Sequence, residues 1–318
     1  MENLKSIGIT SLAYNFPKLK VSIDKLYKKH KLNSQPKTLK EFGFRYAYLC
    51  YNEKTFDDLM LKSANKTLSL SESKKEDIDL LFLYNGINPT ANKKGKGDSD
   101  LSIFKYNSAK LNYDLGLKKA SAFAVSEQGC SGVLSIIDLA FHYINSSDKK
   151  SILCLAGDML GSLSKREIIY NVMSDSTCAF IVKENSSKNI VKSFYQLTHS
   201  YYWDTPLREQ EVLAAYFPMA KQTILGALKK ANLSIEDVSW FVPHNVNIKS
   251  WQILSRLIGI PDDKIWTKNI SKYGHTISCD HIVNLFDMEK SNTIKKGDML
   301  VLFTFGFGAS WSCLIIEH

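Results

Sequence analysis

The chain has 318 residues, 44% hydrophobic and 23% charged, an ordinary globular balance with enough length for one large α/β domain or two packed halves. Its apolar runs, such as 80–84 and 299–303, are far too short to span a bilayer, and the N-terminal stretch MENLKSIGITSLAYNFP lacks the pattern of a signal peptide, so a soluble cytoplasmic protein is expected. A net charge of +9 invites nucleic acid as a partner, but the lysines are scattered apart from one cluster at 92–100. With no finger, RNP-type motif or basic helix beside it, that cluster reads as a solvated loop and the protein as no nucleic-acid binder.

In chain order, residues 56–71 carry a helical pattern, and the polar stretch 71–79 leads into an apolar strand, Leu80–Tyr84. Residues 131–145 form a second helix. Val133, Leu134, Ile136, Ile137, Ala140, Phe141 and Ile144 cover most of its surface, so it belongs in the middle of a layered protein. The strand Ser151–Ala156 and a turn at Gly157–Asp158 follow. Alternating helices and strands predict an α/β architecture.

The second part of the chain repeats this grammar. Residues 63–87 align with 221–245, each a helix, a Leu-Ser turn, an Asp-containing lead-in and a strand, with Tyr84 opposite His244. Gly129–Cys130, its helix and the strand 152–158 align in the same way with Gly274–His275, its helix and the strand 299–306. Two matched blocks in the same order predict an internal duplication, with halves at 1–184 and 185–318 related by a pseudo-twofold axis. Such symmetry brings Cys130, His244 and His275 toward the boundary between the halves, where pockets form.

Six cysteines lie at 50, 130, 154, 178, 279 and 313 without CxxC pairs. Cys154, Cys178 and Cys313 fall in apolar strand-like segments and read as buried reduced thiols. Cys130 differs. In SEQGCSG it follows a flexible glycine at a helix start, where unpaired N–H groups and the helix dipole favour a thiolate, although a small residue merely filling a helix start explains it too. His244 follows the strand WFVP, at the kind of strand end where ligand-contacting residues collect. His275 sits in a glycine turn before a helix, and Asp280 in that helix's first turn, a place the helix dipole alone would give a carboxylate. His275, Cys279 and His281 lack a fourth ligand pattern, so no metal is expected. The ending FTFGFGASWSCLIIE reads as strand, glycine turn and strand, and such a turn can offer backbone N–H groups to an oxyanion.

Taken together, GCSG, the Gly-Asp at 157–158, PHNVN, YGHT and GFGxxW, in this order along nearly the whole chain, resemble the ketoacyl-acyl-carrier-protein synthase III family of the thiolase superfamily. The resemblance implies a thiolase fold, a five-layer αβαβα sandwich of two duplicated halves, usually a homodimer. It implies Cys130 as the nucleophile that takes an acyl group from an acyl carrier protein or coenzyme A, with His244 as its partner. The backbone N–H groups of Cys130 and Phe307 are implied as the oxyanion hole, and Lys249 as a contact for the acidic carrier protein. No cofactor is implied beyond the thioester substrate itself.

Three departures from the family pattern matter. His275 stands where the family has an asparagine, and Asp280 resembles the acid of relatives that acylate a hydroxyl or amine with Cys, His and Asp. The family's glycine-rich segment is NVMSDSTCAF here, with only Asp175 kept, and of the coenzyme A region only Gly43-Phe44-Arg45 is similar. We therefore expect an acyltransferase acting through acyl-Cys130 on a small-molecule acceptor, in fatty-acid-related or polyketide metabolism. In this reading Asp280 orients His244 as base while His275 polarises the thioester. Decarboxylative condensation with malonyl-carrier protein and a silent subunit of a heterodimer are the alternatives.

Overall fold

Residues 5–86, 104–161 and 165–318 are described by a computed structural model; the lysine cluster at 92–100 lies outside them. In the first half, β1 (Gly8–Asn15) leads through β2 (Leu19–Ser22), α1 (Ile23–Lys28), α2 (Pro36–Glu41) and β3 (Tyr46–Leu49) to the long helix α3 (Glu53–Leu70) and β4 (Leu80–Tyr84). Then come α4 (Asn107–Leu115), β5 (Ser121–Val125), α5 (Gly132–Ser146), β6 (Ser151–Asp158), the short pair β7 (Glu167–Ile168) and β8 (Asn171–Val172), and β9 (Ser176–Lys183). The rest of the chain supplies β10 (Ile190–Thr198), α6 (Glu209–Lys230), β11 (Trp240–Pro243), α7 (Ile248–Ile258), α8 (Lys268–Tyr273), α9 (Asp280–Lys290), β12 (Met299–Gly306) and β13 (Ser310–Glu317).

Read outward from the centre, the strands run β1-β9-β6-β4-β5 on one side and β10-β13-β12-β11 on the other, with β1 meeting β10 antiparallel. The pairing senses repeat as well: β4 is parallel to β6, and β11 to β12. The neighbours next inward are antiparallel in both sets. The segment at Ile265 adds a parallel bridge to Phe241, where β5 sits beside β4. Tyr84 ends β4 and His244 directly follows β11, so the two residues aligned by sequence occupy matching strand ends.

Strand alternation sorts the core into layers. Leu81, Leu83, Leu153, Leu155, Ala179 and Ile181 face α3 and α4. The alternate residues Phe82, Tyr84, Cys154, Ala156 and Phe180 face α5 and α9, as do Leu300, Leu302 and Leu314 of the other strand set. Val301, Phe303, Phe305, Trp311 and Cys313 face α6 and α7. The result is a mixed α/β fold of helix, sheet, helix pair, sheet and helix layers. The central pair explains the all-round apolarity of α5. Its Val133, Leu134, Ile136, Ile137 and Ala140 are fully buried between the sheets, and each such aliphatic side chain removed from water contributes about 1.5–3 kcal/mol. No helix among the described residues is long and apolar enough to cross a membrane.

Candidate active site

Cys130 lies in a single 3-10 turn, Gly129–Ser131, that feeds α5. Of the six cysteines it alone is partly accessible; the other five are buried and none is in a disulfide. Two glycines make this turn possible. Gly129 has φ +52, and a Cβ there would stand 3.0 Å from Gly306 Cα and 3.1 Å from Phe307 N. The turn between β12 and β13 therefore packs directly on the nucleophile's turn. Gly132 leaves room for Tyr84, whose ring would lie 1.8 Å from a Cβ at that position. The Tyr84 hydroxyl donates to Gly129 O at 2.5 Å, and Thr304 Oγ1 donates to Cys130 O at 3.3 Å. Both halves thus fix the Cys130 backbone.

His275 comes from the other half. Its Nε2 is 3.4 Å from Cys130 Sγ, and its Nδ1 is 2.6 Å from Asp280 Oδ2. Asp280 is fully buried at the start of α9. Its Oδ1 accepts from Thr276 N at 2.7 Å and Thr276 Oγ1 at 2.6 Å, and its Oδ2 also accepts from Asn245 N at 2.6 Å. Burial on its own would push the carboxyl up, but the His275 charge and these donors hold it below its ordinary value. Burial likewise opposes a charge on His275, yet Asp280 and then Cys130 raise the imidazole well above its ordinary value.

His244 behaves differently. It is buried, and its Nδ1 lies 3.2 Å from the carbonyl oxygen of Phe303. A carbonyl only accepts, so the proton sits on Nδ1 and Nε2 carries the lone pair. Burial, followed by His275 and His281 nearby, lowers this imidazole to about 3. His281 Nε2 approaches the same carbonyl at 3.0 Å, and burial lowers its ring to about 4. The His244 and His275 rings face each other edge-on with centroids 6.0 Å apart.

This geometry corrects one expectation. Asp280 orients His275, the ring beside the thiol, and not His244, which is held by Phe303. Four residues separate His275 from Asp280, and the turn they form, closed by Thr276, folds the carboxylate back onto its own segment. The remaining expected positions are also located. The N–H of Phe307 belongs to the turn packed on Gly129. Lys249 is exposed in the first turn of α7. Arg45 reaches the carbonyls of Lys40 and Phe44 at the edge of an open cavity of about 530 Å³. Cys279 turns to Ala156 O and His281 to Phe303 O, so they do not converge with His275. No group of three or more metal-binding side chains occurs among the described residues.

Some supporting residues carry more than the sequence reading gave them. Asp158, read only as part of the Gly-Asp turn at 157–158, joins the halves, accepting from Gly86 N at 2.8 Å and from Ser278 N at 3.1 Å. Arg166 is buried against Asp175 with no periodic or motif signal to mark it. The row of buried asparagines, with Asn269 donating to Asn284 at 2.9 Å and Asn284 to Asn245 at 2.9 Å, supports the Asp280 turn from behind. Of these asparagines, only Asn245 falls in a quoted motif, PHNVN.

A layered mixed α/β fold with an accessible cysteine before one central helix and facing histidines near the other is a thiolase-like architecture. Residues 228–318 match the family model described as 3-Oxoacyl-[acyl-carrier-protein (ACP)] synthase III C terminal. The beta-ketoacyl-[acyl-carrier-protein] synthase III of Synechocystis sp. is 22% identical over 302 residues, spanning 86% of this chain and 87% of that protein. That of Clostridioides difficile is 25% identical over 276 residues, spanning 82% and 83%. Among solved structures, the synthase III of Aquifex aeolicus VF5 superposes with a TM-score of 0.84 at 20% identity, covering 98% of this chain and 100% of that one. The acyltransferase ChlB3 superposes equally well, with a TM-score of 0.84 at 16% identity, covering 98% and 97%. Residues 228–318 thus carry the synthase III C-terminal region, and the chain as a whole is a synthase III-like transferase, similar to enzymes of the condensing or acyl-transferring type.

Proposed function

We propose that this protein moves an acyl group from a carrier-protein or coenzyme A thioester, through an acyl-Cys130 intermediate, to a hydroxyl or amine of a small-molecule acceptor. The observation that carries this reading is the unbroken chain from Asp280 through His275 to Cys130. A histidine paired with a buried carboxylate is suited to taking and returning a proton. An alcohol or amine acceptor needs such a base, whereas a malonyl unit that loses carbon dioxide does not.

The cycle follows from the geometry. The Cys130 sulfur, its proton on His275, attacks the thioester carbonyl carbon, and the N–H groups of Cys130 and Phe307 are the proposed donors to the oxyanion. Collapse breaks the donor's C–S bond, and the departing thiolate takes the proton from His275. The acceptor then attacks acyl-Cys130 while His275 Nε2 accepts its proton, and the second collapse returns the Cys130 sulfur. His244, with its lone pair at Nε2 and its ring 6.0 Å from that of His275, is the proposed acceptor for the incoming nucleophile's hydrogen.

Decarboxylative condensation is the second reading, favoured by the facing His244 and His275 rings. It needs two donors at the malonyl thioester oxygen, and with Nδ1 committed to Phe303 O, His244 offers an acceptor there. The complete Cys–His–Asp chain weighs against a silent subunit. We further propose that the protein works as a homodimer, for which the exposed edge strand β5 with Phe123 offers a pairing surface. Fatty-acid-related or polyketide metabolism is the proposed setting.

Intact mass spectrometry after incubation with acyl-carrier proteins and acyl-coenzyme A tests the first step, beside Cys130→Ala. An adduct on the wild type alone, discharged by an alcohol or amine without carbon dioxide release, is expected. Discharge only by malonyl-carrier protein with carbon dioxide release would replace this reading with condensation.

A further inference from the structure

Among the described residues, the most deeply buried ion pair lies outside the reacting groups. Arg166 and Asp175 are both buried, and their side chains meet in a two-point contact, Nη1 to Oδ1 at 2.5 Å and Nη2 to Oδ2 at 2.9 Å. The same carboxylate accepts from Cys50 N at 2.6 Å and Leu160 N at 2.9 Å, and Arg166 Nη2 also donates to Gly161 O at 2.9 Å. A buried ion pair is in general poor support for stability, because desolvation offsets its attraction, so its retention calls for another account.

The residues just before Asp175 supply one. His275 N donates to Val172 O and Ser174 N donates to His275 O, both at 2.8 Å, so the His275 main chain is bracketed by the 172–174 segment of the other half. Ser174 Oγ donates to Tyr273 O and accepts from Tyr48 N at 3.0 Å. Asp175 N donates to Tyr48 O at 2.9 Å, and Met173 N to Arg166 O at 2.8 Å. The 172–174 segment thus holds His275 on one edge and is itself held at both ends by Arg166 and Asp175.

We propose that Arg166 and Asp175 are positioning residues for His275: the ion pair fixes the segment that brackets its backbone and so sets the Cys130–His275 approach across the two halves. This rests on the reading that Cys130 and His275 act together, and it holds for either acyl transfer or condensation. The titratable groups facing His275 are Cys130 from its own turn, Asp280 from α9 and His244 after β11, with His281 behind His244. None of them touches Arg166 or Asp175 directly, so any effect of the pair reaches His275 through the backbone.

The test is the rate of Cys130 alkylation by iodoacetamide, read by intact mass across pH, with thermal melting of each variant. The five buried cysteines give a low background, measured with Cys130→Ala. Asp175→Asn keeps the shape and removes the charge; Ser174→Ala leaves the ion pair intact and removes only the hydroxyl contacts to Tyr273 O and Tyr48 N that anchor the bracketing segment, which guards against a variant that fails to fold. Both are expected to alkylate roughly tenfold or more slowly than wild type below neutrality, a misplacement effect, and to approach the wild-type rate at alkaline pH. Variants that melt at lower temperature but keep the wild-type rate and pH profile while folded would overturn the proposal, leaving the pair a purely structural role. A slow, pH-flat wild type would instead count against the Cys130–His275 reading itself.

Discussion

Asp280 and His275 are joined at 2.6 Å, with only the four residues of a turn between them, and both lie buried beneath the Cys130 turn. The carboxylate is satisfied by four donors before any substrate arrives, so it does not need to reorganise during a proton transfer. Replacing Asp280 by asparagine removes the charge that raises His275 while keeping the shape. Acylation of Cys130 is expected to fall by about 10²–10⁴-fold. Stopped-flow acylation checks this, and a rate within a factor of two of wild type would dismiss the relay.

His244 and Asp280 are not partners, so their variants should differ. His244→Ala is expected to leave the first step, Cys130 acylation, nearly intact and to slow discharge to the acceptor by about 10²-fold or more. Single-turnover measurement of each half-reaction separates the two. Equal loss in both steps would mean that His244 also shapes the thiol.

The buried histidines set the acid side of stability. His244 and His281 have folded values near 3 and 4 against an ordinary 6.5. Below about pH 6.5 the unfolded chain binds protons that the folded rings refuse, so stability is expected to fall as pH drops from there toward 4 and 3. His275 has the opposite sign: its raised value contributes stability that is full below about 6.5 and lost as pH rises through its folded value. Melting temperatures across pH should show a shallower acid limb in His281→Gln, whose amide N–H matches the reach of Nε2 toward Phe303 O. An unchanged acid limb would exclude His281 as a source.

Gly132 exists for Tyr84. A methyl group at residue 132 would lie 1.8 Å from the Tyr84 ring, so Gly132→Ala should cost about 3 kcal/mol through overpacking. Combining it with Tyr84→Ala should recover part of that loss. Denaturant unfolding of the double-mutant cycle measures the coupling, and additive losses would refute the steric account.

Lys249 is exposed in the first turn of α7 and well placed to meet an acidic partner. Lys249→Glu is expected to raise KM for an acyl-carrier protein about tenfold without a like change for acyl-coenzyme A, and to reduce the salt dependence of the former. An equal change with both donors would point to altered substrate binding in place of protein docking.

Much of this architecture was legible in the chain. The strand Leu80–Tyr84 has the limits its apolar run implies, and the helix read at 131–145 is α5, Gly132–Ser146. The duplicated blocks align Tyr84 with His244 because local pattern repeats wherever the same supersecondary unit is built twice. The motifs around Cys130, His275 and Phe307 were readable because turns need particular glycines beside particular functional groups.

The sequence by itself determined that one cysteine lies in a glycine-flanked turn, that the histidines and an acid lie in the other half, and that strands and helices alternate into layers. Only the tertiary structure decided which histidine meets the thiol, which one the acid serves and what holds them there. Those choices depend on where two loops from opposite halves come to rest. The groups that fix them, the carbonyl of Phe303 as acceptor, the N–H of Asn245 as donor and the main chain of residues 172–174, are backbone groups, and so leave no mark on the sequence.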